Sequence, residues 1–294
     1  MTSASRTERA HAKINLVLRI LAREASGYHG IETLFQLLEL HDLVHVRVGN
    51  MGPSLSCAGP TMPAGGLGPV EQNLAWRAAV AYTEASGWST GWAIEIEKQI
   101  PVGGGLGGGS ADAAAVLRAF EALSPTPLGM PRLLQIAGTL GADVPFLVSG
   151  ASLAWAWGRG DRLLPLPALP TATVLLAVFS DGVNTGAAYG AFARAREARG
   201  DTAQALAYPA GAFSSWASIA ALATNDFEPV VCEMHAGVAG ILPLLRDMAA
   251  TANRDGATAI GMMSGSGATC FLLHHGEGAL LANPPMAFRA TFTR

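Results

Sequence analysis

The sequence predicts an α+β protein. Strand-like alternation is concentrated in the first hundred residues, and helices and strands then mix without a regular strand–helix–strand repeat. A glycine-rich loop also stands between one predicted strand and one predicted helix. The 294 residues, half of them hydrophobic and 14% charged, suffice for one large or two medium cores. A boundary in the turn-rich "GRGDRLLPLPALP" gives an N-terminal domain over residues 1–160 and a C-terminal domain over 161–294.

Residues 1–9 read as a frayed polar end. "AKINLVLRI" alternates, with Ile14, Leu16, Leu18 and Ile20 on a core face and Lys13, Asn15, Val17 and Arg19 on the other, so it reads as a half-buried strand. "LFQLLEL" and "LVHVRV" read as two further strands, and residues 49–69 as a Gly/Pro-rich loop or hairpin. "EQNLAWRAAVAYTEASG" is helical by spacing and ends on glycine, and "WAIEIEKQI" is a strand that runs into the glycine loop. Beyond the loop come predicted helices at 110–122 and near 131–140, then strands in "ASLAWAW" and "TATVLLAVF". Helices follow around 185–199, 214–223 and 236–252, then the turn "MMSGSGAT" and the strand "CFLL"; the tail gives weak signals.

Composition narrows the function. A net charge of −3 offers nothing to a polyanion, so no nucleic-acid partner is expected. Cys57, Cys232 and Cys270 are few, odd in number and widely spaced, as in reduced thiols of a cytoplasmic protein. Charges interrupt the N-terminal apolar pattern and the apolar runs are short, so neither a signal peptide nor a membrane partner is expected. Among 19 basic residues only Lys13 and Lys98 are lysine, so each is a candidate for a site that wants a compact ammonium.

Six of the seven residues Gly103–Gly109 are glycine, and an alanine-rich helix follows. Such a run costs backbone entropy. Two readings account for it: tight-turn packing, or a loop that brings its N–H groups against a phosphate at a helix N-terminus, with Ser110 as N-cap. Gly103-x-Gly105-x-x-Gly108 formally fits a dinucleotide fingerprint, but no strand ending in an acidic residue follows the helix. A phosphate loop of the Gly-Lys-Ser/Thr type is excluded because the run ends Gly-Gly-Ser.

Pro101, Gly105-Leu106-Gly107 and Ser110-Ala111 resemble the ATP loop of the GHMP kinases, which include galactokinase, homoserine kinase and mevalonate kinase. "AKINLVLRI", "GYHGIETLFQLLEL", "PVGGGLGGGSADAAAVL", "GADVPFLVSGASLAWAWGRGDRLLPL" and "MMSGSGATCFLL" extend the resemblance, in order, over about residues 10–273. They are similar to the branch of that family whose acceptor is a cytidine diphosphate-linked methylerythritol. The resemblance implies a ribosomal-S5-like ATP-binding domain followed by a ferredoxin-like α/β sandwich. It also implies transfer of the γ-phosphoryl of ATP to the acceptor's 2-hydroxyl, in the non-mevalonate route to isoprenoids. ATP and Mg²⁺ are the implied cofactors, the ion carried mainly by the phosphates. The implied partner is the small-molecule substrate, with no obligate protein partner and no dedicated metal ligands.

Carried over by position, the resemblance makes Asp143 of "GADVP" the catalytic base, where the plain reading is a cap for the turn before Pro145. Lys13, otherwise a strand-edge lysine, stands beside the base and the transferred phosphate. Pro101, Gly103, Gly104, Gly105, Leu106, Gly107, Gly108, Gly109 and Ser110 form the phosphate loop. Asn73 and Lys98 fall where the nucleotide approaches, and each equally suits a structural role. Asn15 orients the acceptor, Tyr28 and His29 grip the cytosine, and Thr185 and Tyr189 line the opposite wall. His11 stands where proline is usual, Ala111 where a second serine is common, and Tyr189 where phenylalanine is frequent. His41, His45, His235, His274 and His275 lack metal-ligand spacing and read as non-functional.

Overall fold

A computed structural model describes residues 3–23, 29–200, 207–277 and 288–294. The chain opens with two long strands, β1 (Ala4–Arg23) and β2 (His29–Gly49), followed by β3 (Ser54–Ala58), α1 (Leu74–Ser86) and β4 (Gly91–Glu97). Three helices follow: α2 (Gly108–Leu123), α3 (Met130–Leu140) and α4 (Val144–Ser149). Next come β5 (Leu153–Gly158), β6 (Arg162–Leu166), β7 (Thr173–Ala177), α5 (Thr185–Arg199), α6 (Trp216–Ala220) and β8 (Thr224–Asn225). The last elements are α7 (Glu228–Met234), α8 (Ala236–Arg254), β9 (Thr258–Met263), β10 (Cys270–His275) and β11 (Arg289–Phe292). The chain divides into two compact units: one of residues up to Ala12, Leu40–Val102 and Gly107–Ala151, the other of Lys13–Glu39, Gly103–Leu106 and Ser152–Arg294.

In the first unit β4 pairs antiparallel with β2, from Leu43↔Glu97 to Gly49↔Gly91, and parallel with β3. The register sets Val44 on Ile96, Val46 on Ile94 and Val48 on Trp92, all buried, so alternation in two segments becomes one apolar face. Helix α2 packs against α1 and α4. It can approach closely because Ala111, Ala113, Ala114 and Ala115 are all buried and small. Phe120 fills the space beside them, 5.6 Å from the ring of Tyr82 and 6.3 Å from that of Trp92.

The second unit contains a four-stranded antiparallel sheet in the order β11-β7-β10-β9. Its core draws on Val231 of α7, Val238 and Leu245 of α8, Phe227, and Cys270 and Leu272 of β10. The N-terminal half of β2 pairs with β5, β5 with β6, and β1 with the short β8.

Several expectations change. The polar N-terminus is strand from Ala4, held by backbone pairing and by Thr7 Oγ1 to His45 Nδ1 at 2.8 Å, neither of which needs apolar side chains. "LFQLLEL" and "LVHVRV" belong to one strand, β2. The β1 strand is buried on both faces: Lys13, Asn15 and Val17 are as covered as Ile14 and Leu16. The 49–69 segment contains β3, and the helix expected at 214–223 is only the five residues of α6. The turn-rich stretch after β5 contains β6, which among the described residues pairs with β5 alone, so Pro165 sits on a sheet edge that tolerates it. Among the described residues no helix is long and apolar enough to cross a membrane.

Candidate active site

The strand β4 delivers the chain into the glycine loop, and α2 receives it. Gly107, at φ 73°, is the N-cap of α2, which begins at Gly108. Ser110 is therefore a first-turn residue and not the cap: left-handed glycine geometry turns the chain three residues earlier than a serine cap would. No side chain caps this end, so the first-turn N–H groups keep their capacity for an anion. The dinucleotide alternative fails here, because α2 leads to α3 and not to a parallel strand.

The tip of the loop lies in the second unit and is held from two directions. Lys13 Nζ donates to the carbonyl of Gly105 at 2.9 Å, and Ser264 Oγ donates to the same oxygen at 2.9 Å. Two backbone bonds flank this point: Lys13 N–H to Leu106 O at 3.0 Å, and Thr269 N–H to Gly104 O at 3.1 Å. Gly105 combines φ +76° with a tight approach, since a Cβ there would lie 2.3 Å from the carbonyl oxygen of Ser264. Glycine is required at that position.

Lys13 is only 3% exposed. Its ammonium also donates to Asn15 Oδ1 at 2.7 Å and lies 5.7 Å from the ring centre of Phe35. Asn15 Nδ2 donates to Thr33 Oγ1 at 2.8 Å, and that hydroxyl donates to Val17 O at 2.7 Å. This chain fixes the rotamer of Asn15, which in turn fixes the ammonium.

Asp143 lies in the first unit at the head of α4, partly exposed, and its carboxylate accepts no hydrogen bond from that helix. Asn73 is the N-cap of α1, its Oδ1 accepting from Ala75 N–H at 2.9 Å. Lys98 is buried, with Nζ donating to Asp42 Oδ2 at 2.5 Å and Asp112 Oδ2 at 2.7 Å. Burial alone would lower the Lys98 pKa, but the two carboxylates outweigh it and raise it. The Asp112 carboxyl is raised, chiefly by burial; Lys98 opposes the shift and Asp42 adds to it.

Thr185 is the first residue of α5, and its hydroxyl lies 2.8 Å from Ser266 Oγ. Tyr189, one turn on, is half-buried with its ring edge-on to Phe227 at 4.8 Å. Tyr28 and the side chain of His29 lie outside the described residues. Asp42, Asp112, Thr33 and Ser264 escaped the sequence reading. A signal existed for Asp112 alone, because a carboxylate inside the buried run "SADAAA" needs a partner.

The model of the family described as GHMP kinases N terminal domain matches residues 73–151. The 4-diphosphocytidyl-2-C-methyl-D-erythritol kinase of Pelotomaculum thermopropionicum is 38% identical over 267 residues, covering 90% of this chain and 88% of the relative. The protein of the same name from Nitratidesulfovibrio vulgaris is 39% identical over 277 residues, covering 91% and 89%. A crystal structure of 4-(cytidine 5'-diphospho)-2C-methyl-D-erythritol kinase superposes with a TM-score of 0.69 at 33% identity, covering 91% of this chain and 90% of that one. The Leishmania major mevalonate kinase in complex with R-mevalonate shares the fold, with a TM-score of 0.62 at 10% identity over 99% of this chain and 97% of that one. With over a third of its residues shared along nine-tenths of its length, the chain is a small-molecule kinase of GHMP fold and belongs to the 4-diphosphocytidyl-2-C-methyl-D-erythritol kinase family.

Proposed function

We propose that the chain transfers the γ-phosphoryl of ATP to the 2-hydroxyl of 4-diphosphocytidyl-2-C-methyl-D-erythritol. The supporting observation is the buried ammonium of Lys13 held on the carbonyl of Gly105, which ties a cation to the glycine loop. Residues Gly103–Ser110 would cradle the phosphates through backbone N–H groups, and residues 1–160 and 161–294 would be the two functional domains of the chain. Asp143 would take the proton of the acceptor hydroxyl as its oxygen attacks the γ-phosphorus. The bond from that phosphorus to the bridging oxygen breaks, and the electron pair leaves with ADP. Lys13 would neutralise charge on the transferred group, and Asn15 and Thr33 would hold it there. Tyr28 and His29 would grip the cytosine, with Thr185 and Tyr189 opposite.

The carboxylates at the roots of the loop, Asp42 and Asp112, are engaged by Lys98, so no carboxylate cage is on offer there and Mg²⁺ would be carried by the ATP phosphates. When bound, the ion would supply charge neutralisation for the transferred phosphoryl group. Initial rates of ADP release with the cytidylyl acceptor, mevalonate, homoserine and sugar alcohols test the assignment. Turnover with the cytidylyl acceptor alone is expected. Preference for another alcohol would overturn it while leaving the kinase class intact.

A further inference from the structure

We propose that Asp42 and Asp112 are positioning residues for the nucleotide: with Lys98 between them they clamp the two roots of the glycine loop and so set the N-terminus of α2. On the reading that this loop takes ATP, the clamp is part of the phosphate site without touching the phosphates.

Three contacts converge on Asp42, which comes from the middle of β2. Its Oδ1 accepts the N–H groups of Gln99 at 2.5 Å and Ile100 at 2.7 Å, and its Oδ2 accepts from Lys98 Nζ. The descending root, Lys98–Ile100, is therefore fixed by one carboxylate. The same ammonium reaches Asp112 on α2, just past its first turn, which is the ascending root. The two roots leave no free room for a side chain at Gly108. A Cβ on Gly108 would lie 3.1 Å from Ile100 Cγ2 and 3.6 Å from Lys98 Nζ.

The chemistry favours a geometric role. The side chains of Lys98, Asp42 and Asp112 are 3%, 0% and 4% exposed. Desolvating three charges is a poor route to stability, since an apolar cluster of similar volume does as well. What the ions add is direction: two carboxylates and one ammonium fix the distance between strand end and helix start. Among the described residues Asp112 Oδ1 is buried without a hydrogen-bond partner, so its carboxyl is oriented through its contacts with Lys98 and Asp42. Asp42 already spends one oxygen on two backbone N–H groups. Exchanging it for an amide turns an NH₂ toward the ammonium and opens the clamp.

The test uses the full chain with Asp42→Asn, read by MgATP titration calorimetry, steady-state kinetics and amide hydrogen exchange. Weaker MgATP affinity by about tenfold is expected, with the KM of the acceptor within about twofold. Exchange over Gly103–Ser110 should accelerate by about tenfold. A folded variant with unchanged MgATP affinity overturns the clamp, whether or not exchange has accelerated. An equal loss for both substrates also overturns it, because that is general loosening. Should Asp42→Asn not fold, Asp112→Ala carries the same expectations and the same refutations. Failure of the unaltered protein to bind MgATP would refute the reading of the loop instead, and the exchange data would still report on the clamp.

Discussion

The ammonium of Lys13 rests on the carbonyl of Gly105, 92 residues away in sequence, at 2.9 Å. One bond thus joins an N-terminal strand to the tip of the glycine loop. Lys13→Arg should lower kcat by about 10²–10³, the scale of losing one preorganised charge donor. The site is buried and already fitted to Asn15 Oδ1 at 2.7 Å, and a planar guanidinium is wider and fixed in direction. Steady-state kinetics on the folded variant check this, and near wild-type turnover would remove the point charge from the mechanism.

Asp143→Asn should keep the fold and MgATP binding. The amide keeps the size of the side chain, and the carboxylate makes no helix-capping bond that would be lost. Turnover should fall by about 10²–10⁴, the range for losing a general base. Binding by calorimetry and rate by ADP release separate the two effects. A parallel loss of both would assign Asp143 to nucleotide binding.

Gly105→Ala should damage the loop more than any neighbouring substitution. It forces a side chain into left-handed backbone, a cost of about 1–2 kcal/mol. It also sets a Cβ 2.3 Å from Ser264 O, so the tip must leave its seat. Thermal denaturation should show a lower midpoint, and the KM for ATP should rise well above that of the unaltered protein. Gly103 shares a φ near 76° but has nothing within 4 Å of its Cβ position, so Gly103→Ala should pay only the backbone strain.

What the sequence revealed followed from local signals. Glycine density marked the loop, the scarcity of lysine marked Lys13 and Lys98, and alternation placed β1 and β4. What it hid was set by distant partners. Asp42 reads as a break between two strands, yet the chain stays extended because Lys98, Gln99 and Ile100 satisfy its carboxylate. Ser264 grips Gly105 across 159 residues, which no local pattern can register. The second buried face of β1 was equally invisible, because Lys13 and Asn15 are polar and become buried only through partners on other elements.

Asp112 gives a dependence of stability on pH with a definite sign. Burial raises its folded pKa above the unfolded value of about 3.9. The native state therefore binds more protons between those two values, and stability falls as pH rises through that window. Below it both states are protonated and the penalty is absent; above it the penalty is complete. Asp112→Asn should flatten this fall, because the amide cannot titrate. Denaturant unfolding across the window, with both proteins in the same buffers, measures it. An unchanged slope would mean that Asp112 is ionised in the native state throughout.

This chain should move a phosphoryl group from ATP to a hydroxyl of the cytidylyl acceptor. Phosphorus NMR of the completed reaction reads that transfer directly. With MgATP and 4-diphosphocytidyl-2-C-methyl-D-erythritol, one new phosphomonoester resonance should grow in step with ADP, and the acceptor's diphosphate signals should persist. The monoester should couple to the framework at the 2-position. ADP accompanied only by inorganic phosphate, or a monoester formed with mevalonate or homoserine but not with the cytidylyl acceptor, would contradict the account.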